Sequence, residues 1–235
     1  MLTIRFDRLF MGEYMFSFIL FDFDGTLMDT SEGVFHSFDK VVERYGLKAD
    51  KSVYSSMIGP PLRESFSQTL ALPQSEIQNA IETYREYYCE KGLFEARVYD
   101  GITDLLQKLR AAGKSVFVAT SKPELYARQI LERKGMLELF DFVGGSDEAE
   151  TERASKADVI RYVLESNGIS GRKEQCLLIG DRKYDVEGAH EAGISCAGIL
   201  WGFGTKAEFE ACGADFILKT PADAARFILN QPETL

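Results

Sequence analysis

Two aspartates two positions apart, Asp22 and Asp24, stand with Gly25 and Thr26 in the string ILFDFDGTLMDT. The run before them, Phe16 to Phe21, is uncharged and rich in aromatic and branched residues, as a buried parallel strand would be. Such a strand delivers both carboxylates to its C-terminal edge, which is where ligands bind in open α/β sheets. In an extended segment positions i and i+2 share one face, so both groups can address one reacting centre. An aspartate is a competent nucleophile toward a phosphoryl group once a cation offsets the repulsion between the two anions. On this reading Asp22 attacks, and Asp24 protonates the leaving oxygen and then takes a proton from the attacking water. Gly25 is expected to permit a sharp turn whose backbone amides face the phosphoryl oxygens, with Thr26 fastening that turn.

Three later positions extend the chemistry. The apolar run SVFVATSK places Thr120 and Ser121 at the point matching Asp22 on its own strand. There a hydroxyl and a backbone N–H suit a phosphoryl oxygen, although Pro123 two residues on is also consistent with plain helix capping. Lys156 opens a helix in ERASKADVIRYVLE and offers an ammonium for the nucleophile and the transferring oxygens, against the alternative of a solvated surface position. The strand CLLIG ends in Asp181, and GDRKYD supplies Asp185 four residues later. With Asp22 and the backbone carbonyl of Asp24 these form an oxygen-rich, octahedral set that suits Mg2+ better than Zn2+.

The elements that must hold these groups follow from periodicity. Val34, Phe35, Phe38, Val41, Val42 and Tyr45 fall on one helical face between a start at Asp29 and a stop at Gly46. Shorter helical pieces are expected near 51–57 and 62–70, and Ile77, Ala80, Ile81, Tyr84 and Tyr88 stripe a longer helix. After Gly101 helices at 102–111, 124–134, 156–166 and 185–192 alternate with strands at 115–120, 140–144, 175–180 and 195–200. A closing helix, strand and helix fall near Lys206, Asp215 and Ala222. This rhythm predicts an α/β fold, a doubly wound parallel sheet formed by residues 15–30 and 97–235, with an inserted all-helical domain at 31–96 and an N-terminal extension at 1–14.

Composition narrows the partners. The chain has 235 residues, and its 37 acidic against 27 basic side chains give a net charge of −10, which argues against a nucleic acid or an anionic membrane. The four cysteines, Cys89, Cys176, Cys196 and Cys212, show no CxxC spacing and imply neither a zinc site nor a disulfide framework. His36 and His190 lie in expected helices away from other ligand types. Arg5, Arg8 and the apolar stretch to Phe21 imitate a secretory leader, but Glu13 interrupts it and no small-residue cleavage site follows. No apolar run reaches the roughly 18 to 20 residues of a membrane span. A cytoplasmic protein is therefore expected, with Met11 or Met15 as alternative starts to Met1.

In this order the motifs resemble those of the haloacid dehalogenase superfamily of phosphatases, from about Met15 to Leu229. Asp22 to Thr26 match its first motif, Thr120 its second, Lys156 its third, and Asp181 with Asp185 its fourth. The helical insertion sits where that superfamily's smaller class of cap sits. TSKP, GDRKYDVEGA and WGFG around Trp201 are similar to the branch of phosphoglycolate phosphatases and 5'-nucleotidases. The resemblance implies a Rossmann-like core, Mg2+ and a ping-pong reaction through an aspartyl phosphate at Asp22. Asp24 disfavours the dehalogenase and phosphonatase versions. A sugar phosphomutase of the β-phosphoglucomutase type retains all four motifs and stays open. A catalytically silent phospho-ligand-binding regulatory module is disfavoured by the intact set, and a protein phosphatase by the cap. The expected substrate is a small phosphorylated metabolite, phosphoglycolate or a nucleoside 5'-monophosphate, handled by a monomer or homodimer.

The leaving group must be chosen by the insertion. Gly59, Pro60 and Pro61 are expected to form a stiff loop from which Arg63 reaches a carboxylate, sugar hydroxyl or second phosphate, unless it is simply solvated. Tyr84, Tyr87 and Tyr88 either stack on a base or pack a helical core. Trp201 and Phe203 are expected at the rim of the site.

Overall fold

A computed structural model describes residues 16–48, 50–59, 62–147 and 152–230. The extension at 1–14, the alternative starts, Pro60 and Pro61 lie outside the described residues.

The first strand, β1 (Phe18–Phe21), is buried on both faces. Its alternation separates two cores. Ile19 and Phe21 join one apolar cluster, and Phe18 and Leu20 the other. The chain then passes through β2 (Met28–Asp29), α1 (Ser31–Arg44), a 3-10 turn at Lys51–Met57, α2 (Leu62–Glu64) continuing as a π turn at Ser65–Thr69, α3 (Ile77–Glu90) and β3 (Arg97–Val98). The alternating part follows: α4 (Ile102–Ala111), β4 (Ser115–Pro123), α5 (Glu124–Arg133), β5 (Phe142–Ser146), α6 (Lys156–Ser166), β6 (Cys176–Gly180), α7 (Lys183–Ala192), β7 (Ser195–Ile199), α8 (Lys206–Cys212), β8 (Phe216–Leu218) and α9 (Pro221–Ile228).

Six strands form one parallel sheet in the order β5-β4-β1-β6-β7-β8. Residues of α4, α5 and α9 cover one face, and residues of α6, α7 and α8 the other. This is a Rossmann-like, doubly wound sheet. With β1 at its centre, pairing Phe21 with Val118 and with Ile179, the C-terminal ends of β1, β4 and β6 lie side by side. The chain builds outward from β1 to one edge and then crosses to the other side, so the order reverses at these ends and opens a crevice there. No helix among the described residues is long and apolar enough to cross a membrane.

Between β1 and β4 the helical insertion packs on its own aromatic centre. Phe38 meets Tyr54, Tyr84 and Phe66 at ring separations of 5.3, 5.3 and 6.1 Å. Two local departures from the periodicity have physical causes. The helix expected from Asp29 begins at Ser31, because the Asp29 carboxylate accepts the Ser31 amide at 3.0 Å and takes the place of a preceding turn. The strand expected at 140–144 begins at Phe142, since Leu137–Leu139 tighten into a 3-10 turn first. A two-stranded antiparallel ribbon, pairing Met28 with Val98 and Asp29 with Arg97, was not legible in the sequence at all. Each strand is two residues long, too short for any periodicity, yet together they draw the insertion's entry and exit into one stem.

Above that stem α1 closes on the turn after α3. A Cβ built on Gly33 would lie 1.9 Å from the carbonyl oxygen of Gly92, which is backbone and cannot rotate away. Gly33→Ala is therefore expected to destabilise the protein by about 1–3 kcal/mol, the range for overpacking, as read from a lower urea midpoint at unchanged slope. Gly46→Ala makes a poor control because that glycine holds a φ of +59°, so Gly171→Ala, where a Cβ meets open space, serves instead.

Candidate active site

Asp22 continues the ladder of β1, its amide donating to Ile179 at 2.9 Å, so its carboxylate emerges between the ends of β4 and β6. Lys156 arrives from the first turn of α6, where Ser155 and Asp158 form a capping box that sets the start of the helix. Its Nζ lies 2.5 Å from Asp22 Oδ1, 2.8 Å from Asp185 Oδ1 and 3.2 Å from the Ala119 carbonyl. The lysine stem reaches this point across Gly188 of α7, where a Cβ would stand 2.6 Å from Lys156 Cγ. Its ammonium is buried, not a solvated surface group.

Asp181 follows β6 and Asp185 belongs to the first turn of α7. Both are buried with Asp22, and the three offer carboxylate oxygens that all lie within 4.8 Å of one another. Asp181 Oδ2 accepts the Phe203 amide at 2.8 Å, and Asp185 Oδ2 accepts the Arg182 amide at 3.0 Å. Asp181 Oδ1 is buried without a hydrogen-bond partner. Burial pushes the Asp22 carboxyl up to about 6; Lys156 pulls it down and Asp185 pushes it up again. Burial, with Asp185 and Asp22 beside it, holds Asp181 well above the usual carboxylate range. For Lys156 burial disfavours the charge, but Asp185 and Asp22 outweigh it and hold the ammonium above its ordinary range. One ammonium does not neutralise three carboxylates. The all-oxygen donors and the orphaned Asp181 Oδ1 fit a hard divalent cation.

The Asp24 carboxylate stands outside this cluster. Lys122 holds both of its oxygens, at 3.0 and 2.9 Å, and is itself buried over the Tyr88 ring at 4.9 Å. Sequence reasoning missed Lys122. Its signal was present, because it stands two residues after Thr120 at the same strand end, but TSKP served there only as a mark of resemblance. Thr120 is buried and its hydroxyl accepts the Lys122 amide at 3.1 Å. It does not cap α5, whose N-cap is Pro123. Thr120 and Ser121 both line a cleft of about 410 Å³ between the sheet edge and the insertion, together with Asp22, Asp24, Lys156 and Asp181.

Three expectations need correction. Gly25 and Thr26, expected to bind substrate, do not line the cleft: the Gly25 amide donates to Met28 and the Thr26 amide to Phe23, closing the turn on itself. Gly25 is required for another reason. It has a φ of +82°, and a Cβ there would lie 2.2 Å from Asp181 Oδ2. Arg63 does not reach the cleft either; it is exposed and lies along α3, with Nη2 3.4 Å from Gln78 Oε1. Trp201 and Phe203 are not rim groups but supports behind the turn, Trp201 Nε1 donating to the Thr26 carbonyl at 3.0 Å and the Phe203 amide holding Asp181.

The tyrosines divide. Tyr84 and Tyr88 pack in the insertion's core, stacked at 5.4 Å, and also form a wall of the cleft. Tyr87 turns outward, where its hydroxyl donates to Glu95 at 3.0 Å. His36 and His190 pair with Glu95 and Asp215 away from the cleft.

Residues 19–199 match the sequence profile of the haloacid dehalogenase-like hydrolases. A 5'-nucleotidase of Pseudomonas aeruginosa is 40% identical over 82% of this chain and 86% of its own length. Tyrosine-protein kinase PtkA of Mycobacterium tuberculosis is 34% identical over 86% of this chain, which spans 65% of that longer protein. Among solved structures, a predicted phosphatase from Clostridium acetobutylicum superposes with a TM-score of 0.86 at 36% identity, covering 92% of this chain and 99% of that one.

The buried acid cluster has a thermodynamic signature. Asp22 and Asp181 have folded-state pKa values above their unfolded ones, so below neutrality the metal-free native state binds more protons than the unfolded chain. Their contribution is most favourable below the unfolded value near 3.8 and is lost as pH rises through about 6 and beyond. Asp181→Asn is therefore expected to raise the melting temperature of the metal-free protein at pH 8 by about 2–4 °C, with the gain shrinking toward pH 5. The same variant is expected to lose most of the stabilisation that a divalent cation gives the wild type. Calorimetric scans with and without chelator check both.

Proposed function

Because the chain belongs to the haloacid dehalogenase-like hydrolases, we propose that it is a Mg2+-dependent phosphatase that hydrolyses a small phosphomonoester through an aspartyl phosphate on Asp22. The observation that carries this reading is the separation of the two neighbouring carboxylates: Asp22 lies against Lys156 within the acid cluster, while Asp24 lies against Lys122. Two like groups with different electrostatic partners are suited to different tasks at one centre. Asp22, Asp181, Asp185 and the Asp24 backbone carbonyl would hold Mg2+, which would supply the charge neutralisation that lets an anionic nucleophile meet an anionic phosphoryl group.

In the first half-reaction an Asp22 oxygen bonds to phosphorus as the bond to the leaving oxygen breaks, and Asp24 gives that oxygen a proton. In the second, Asp24 takes a proton from water as its oxygen bonds to phosphorus, and the phosphorus bond to Asp22 breaks to release phosphate. Lys156, buried beside Asp22, stabilises charge on the nucleophile and on the transferring oxygens. Thr120 and Ser121, at the cleft wall, bind a phosphoryl oxygen. Gly25 and Thr26 serve by shaping the turn that aims Asp22 and Asp24.

For the leaving group, the reading favoured here is a nucleoside 5'-monophosphate. The cleft is long enough to reach from the acid cluster to the aromatic wall of Tyr84, Tyr88 and Tyr126, and the 40% identical relative is a 5'-nucleotidase. Phosphoglycolate, with two carbons, offers that wall no ring to stack on.

The test is phosphate release from a panel of phosphorylated metabolites, with Mg2+ and with EDTA. Nucleoside monophosphates are expected to lead, EDTA to abolish turnover, and Asp22→Asn to lower kcat by at least about 10³-fold. Wild-type turnover in that variant would remove Asp22 as the nucleophile. Cleavage of inorganic pyrophosphate alone would overturn the monoester reading, and an isomerised sugar phosphate without free phosphate would mark a mutase.

A further inference from the structure

Arg182 follows Asp181 directly and joins the acid cluster to the far side of the cleft. Its backbone amide donates to Asp185 Oδ2 at 3.0 Å, so its main chain is held between two of the three clustered carboxylates. Its side chain leaves the sheet edge altogether. Nη1 donates to the Ile58 carbonyl at 2.7 Å, at the end of the 3-10 turn in the insertion, a contact between residues 124 positions apart. Nε donates to Glu208 Oε1 of α8 at 3.2 Å, and the same oxygen accepts the Lys183 amide at 2.8 Å. Arg182 and Glu208 have side chains only 14% and 21% exposed, so this ion pair is sheltered rather than a solvated surface pair.

The insertion side lies in van der Waals range of the arginine. Gly59 has a φ of +103°, and a Cβ there would sit 3.6 Å from Arg182 Cγ and 3.7 Å from its Nη1. The guanidinium is a rigid planar fork, so fixing Nε on Glu208 also fixes the direction in which Nη1 points. Both Gly59 and Arg182 line the cleft. No element of the proposed chemistry requires this side chain, which touches neither Asp22 nor Asp24 in the contacts above.

We propose that Arg182 is a positioning residue that couples cation loading of the acid cluster to closure of the insertion over the cleft, through its bond to the Ile58 carbonyl. The proposal rests on the reading of Asp22, Asp181 and Asp185 as a Mg2+ site. Lys156 relieves only part of the repulsion among the three carboxylates, and a cation held by all three draws them together. Once drawn together, they fix the Arg182 main chain, and Glu208 directs its guanidinium at the insertion. Coupling of this kind is reciprocal, so closing the insertion must also tighten the cation.

The experiment is amide hydrogen exchange at Ile58 and Gly59 in the full-length protein, with Mg2+ alone and with EDTA, alongside calorimetric titration with Mg2+. In the wild type, Mg2+ is expected to slow exchange at these amides by at least about fivefold, the lower end of typical coupling. Arg182→Met is expected to lose that slowing and to bind Mg2+ more weakly by a similar factor, with Arg182→Lys recovering part of both. Glu208→Gln, which leaves the arginine in place but loosens its aim, is expected to fall between, and guards against a poorly folded Arg182→Met. In steady state, Arg182→Met is expected to raise KM about tenfold while kcat falls less, because fewer molecules are closed at any moment. Retained Mg2+-dependent slowing in Arg182→Met, or a wild type that binds Mg2+ without slowing at Ile58 and Gly59, overturns the coupling and leaves the cation site standing. A wild type that binds no Mg2+ overturns both.

Discussion

A single buried ammonium among three carboxylates organises this molecule. Lys156 touches Asp22 and Asp185, and Asp181 completes the cluster. Burying charges costs several kcal/mol for each ion, and breaking such a pair costs roughly 3–5 kcal/mol because a charge is left uncompensated. A chain that keeps this arrangement must surround it with rigid structure. The surrounding elements do so by close backbone approach. Gly188 admits the lysine stem, and Gly180 leaves room where a Cβ would strike the Asp185 carboxylate at 2.3–2.5 Å. The excess negative charge suits the cluster to a hard divalent cation, so it is at once the least comfortable and the most purposeful part of the fold.

The second constraint is the separation of Asp22 from Asp24. They share a strand end, yet Asp22 lies against Lys156 in the acid cluster while Asp24 has Lys122 as a partner of its own. Lys122 holds Asp24 from the side of the insertion, its own ammonium lying over the ring of Tyr88, a residue of α3. The carboxylate proposed to move protons therefore lies toward the insertion, while the proposed nucleophile lies against Lys156 in the acid cluster. The paired strands β2 and β3 bring both linkers of the insertion together just beyond this point.

Behind the site the segment after β7 acts as a brace. Trp201 and Phe203 reach across to the Thr26 carbonyl and the Asp181 carboxylate, and a Cβ on Gly202 would lie 2.3 Å from the Gly25 carbonyl. The turn after β1 is thus held from outside as well as by its own bonds. Gly25 and Thr26 close the turn that follows Asp22 and Asp24 and do not line the cleft.

The alternating order of strands and helices, the parallel sheet, the inserted helices and the carboxylates at strand ends were all legible in the sequence, because each is written in local patterns of apolar spacing. Asp22, Asp181 and Asp185 could be placed together because parallel strands of a doubly wound sheet bring their C-terminal ends to one edge. Lys122, the outward path of Arg63, the inward-closing amides of Gly25 and Thr26, and the two-residue ribbon could not be read that way. Lys122 depends on Asp24 and Tyr88 and the ribbon on partners some seventy residues apart, while the Gly25 and Thr26 amides close on Met28 and Phe23 within a turn too short to show any apolar period. Local periodicity says which face of an element is buried and not what it will be buried against. The sequence by itself determined the chemistry available at the sheet edge; only the tertiary structure decided how the charges are paired there, because pairing is a matter of distance across the fold.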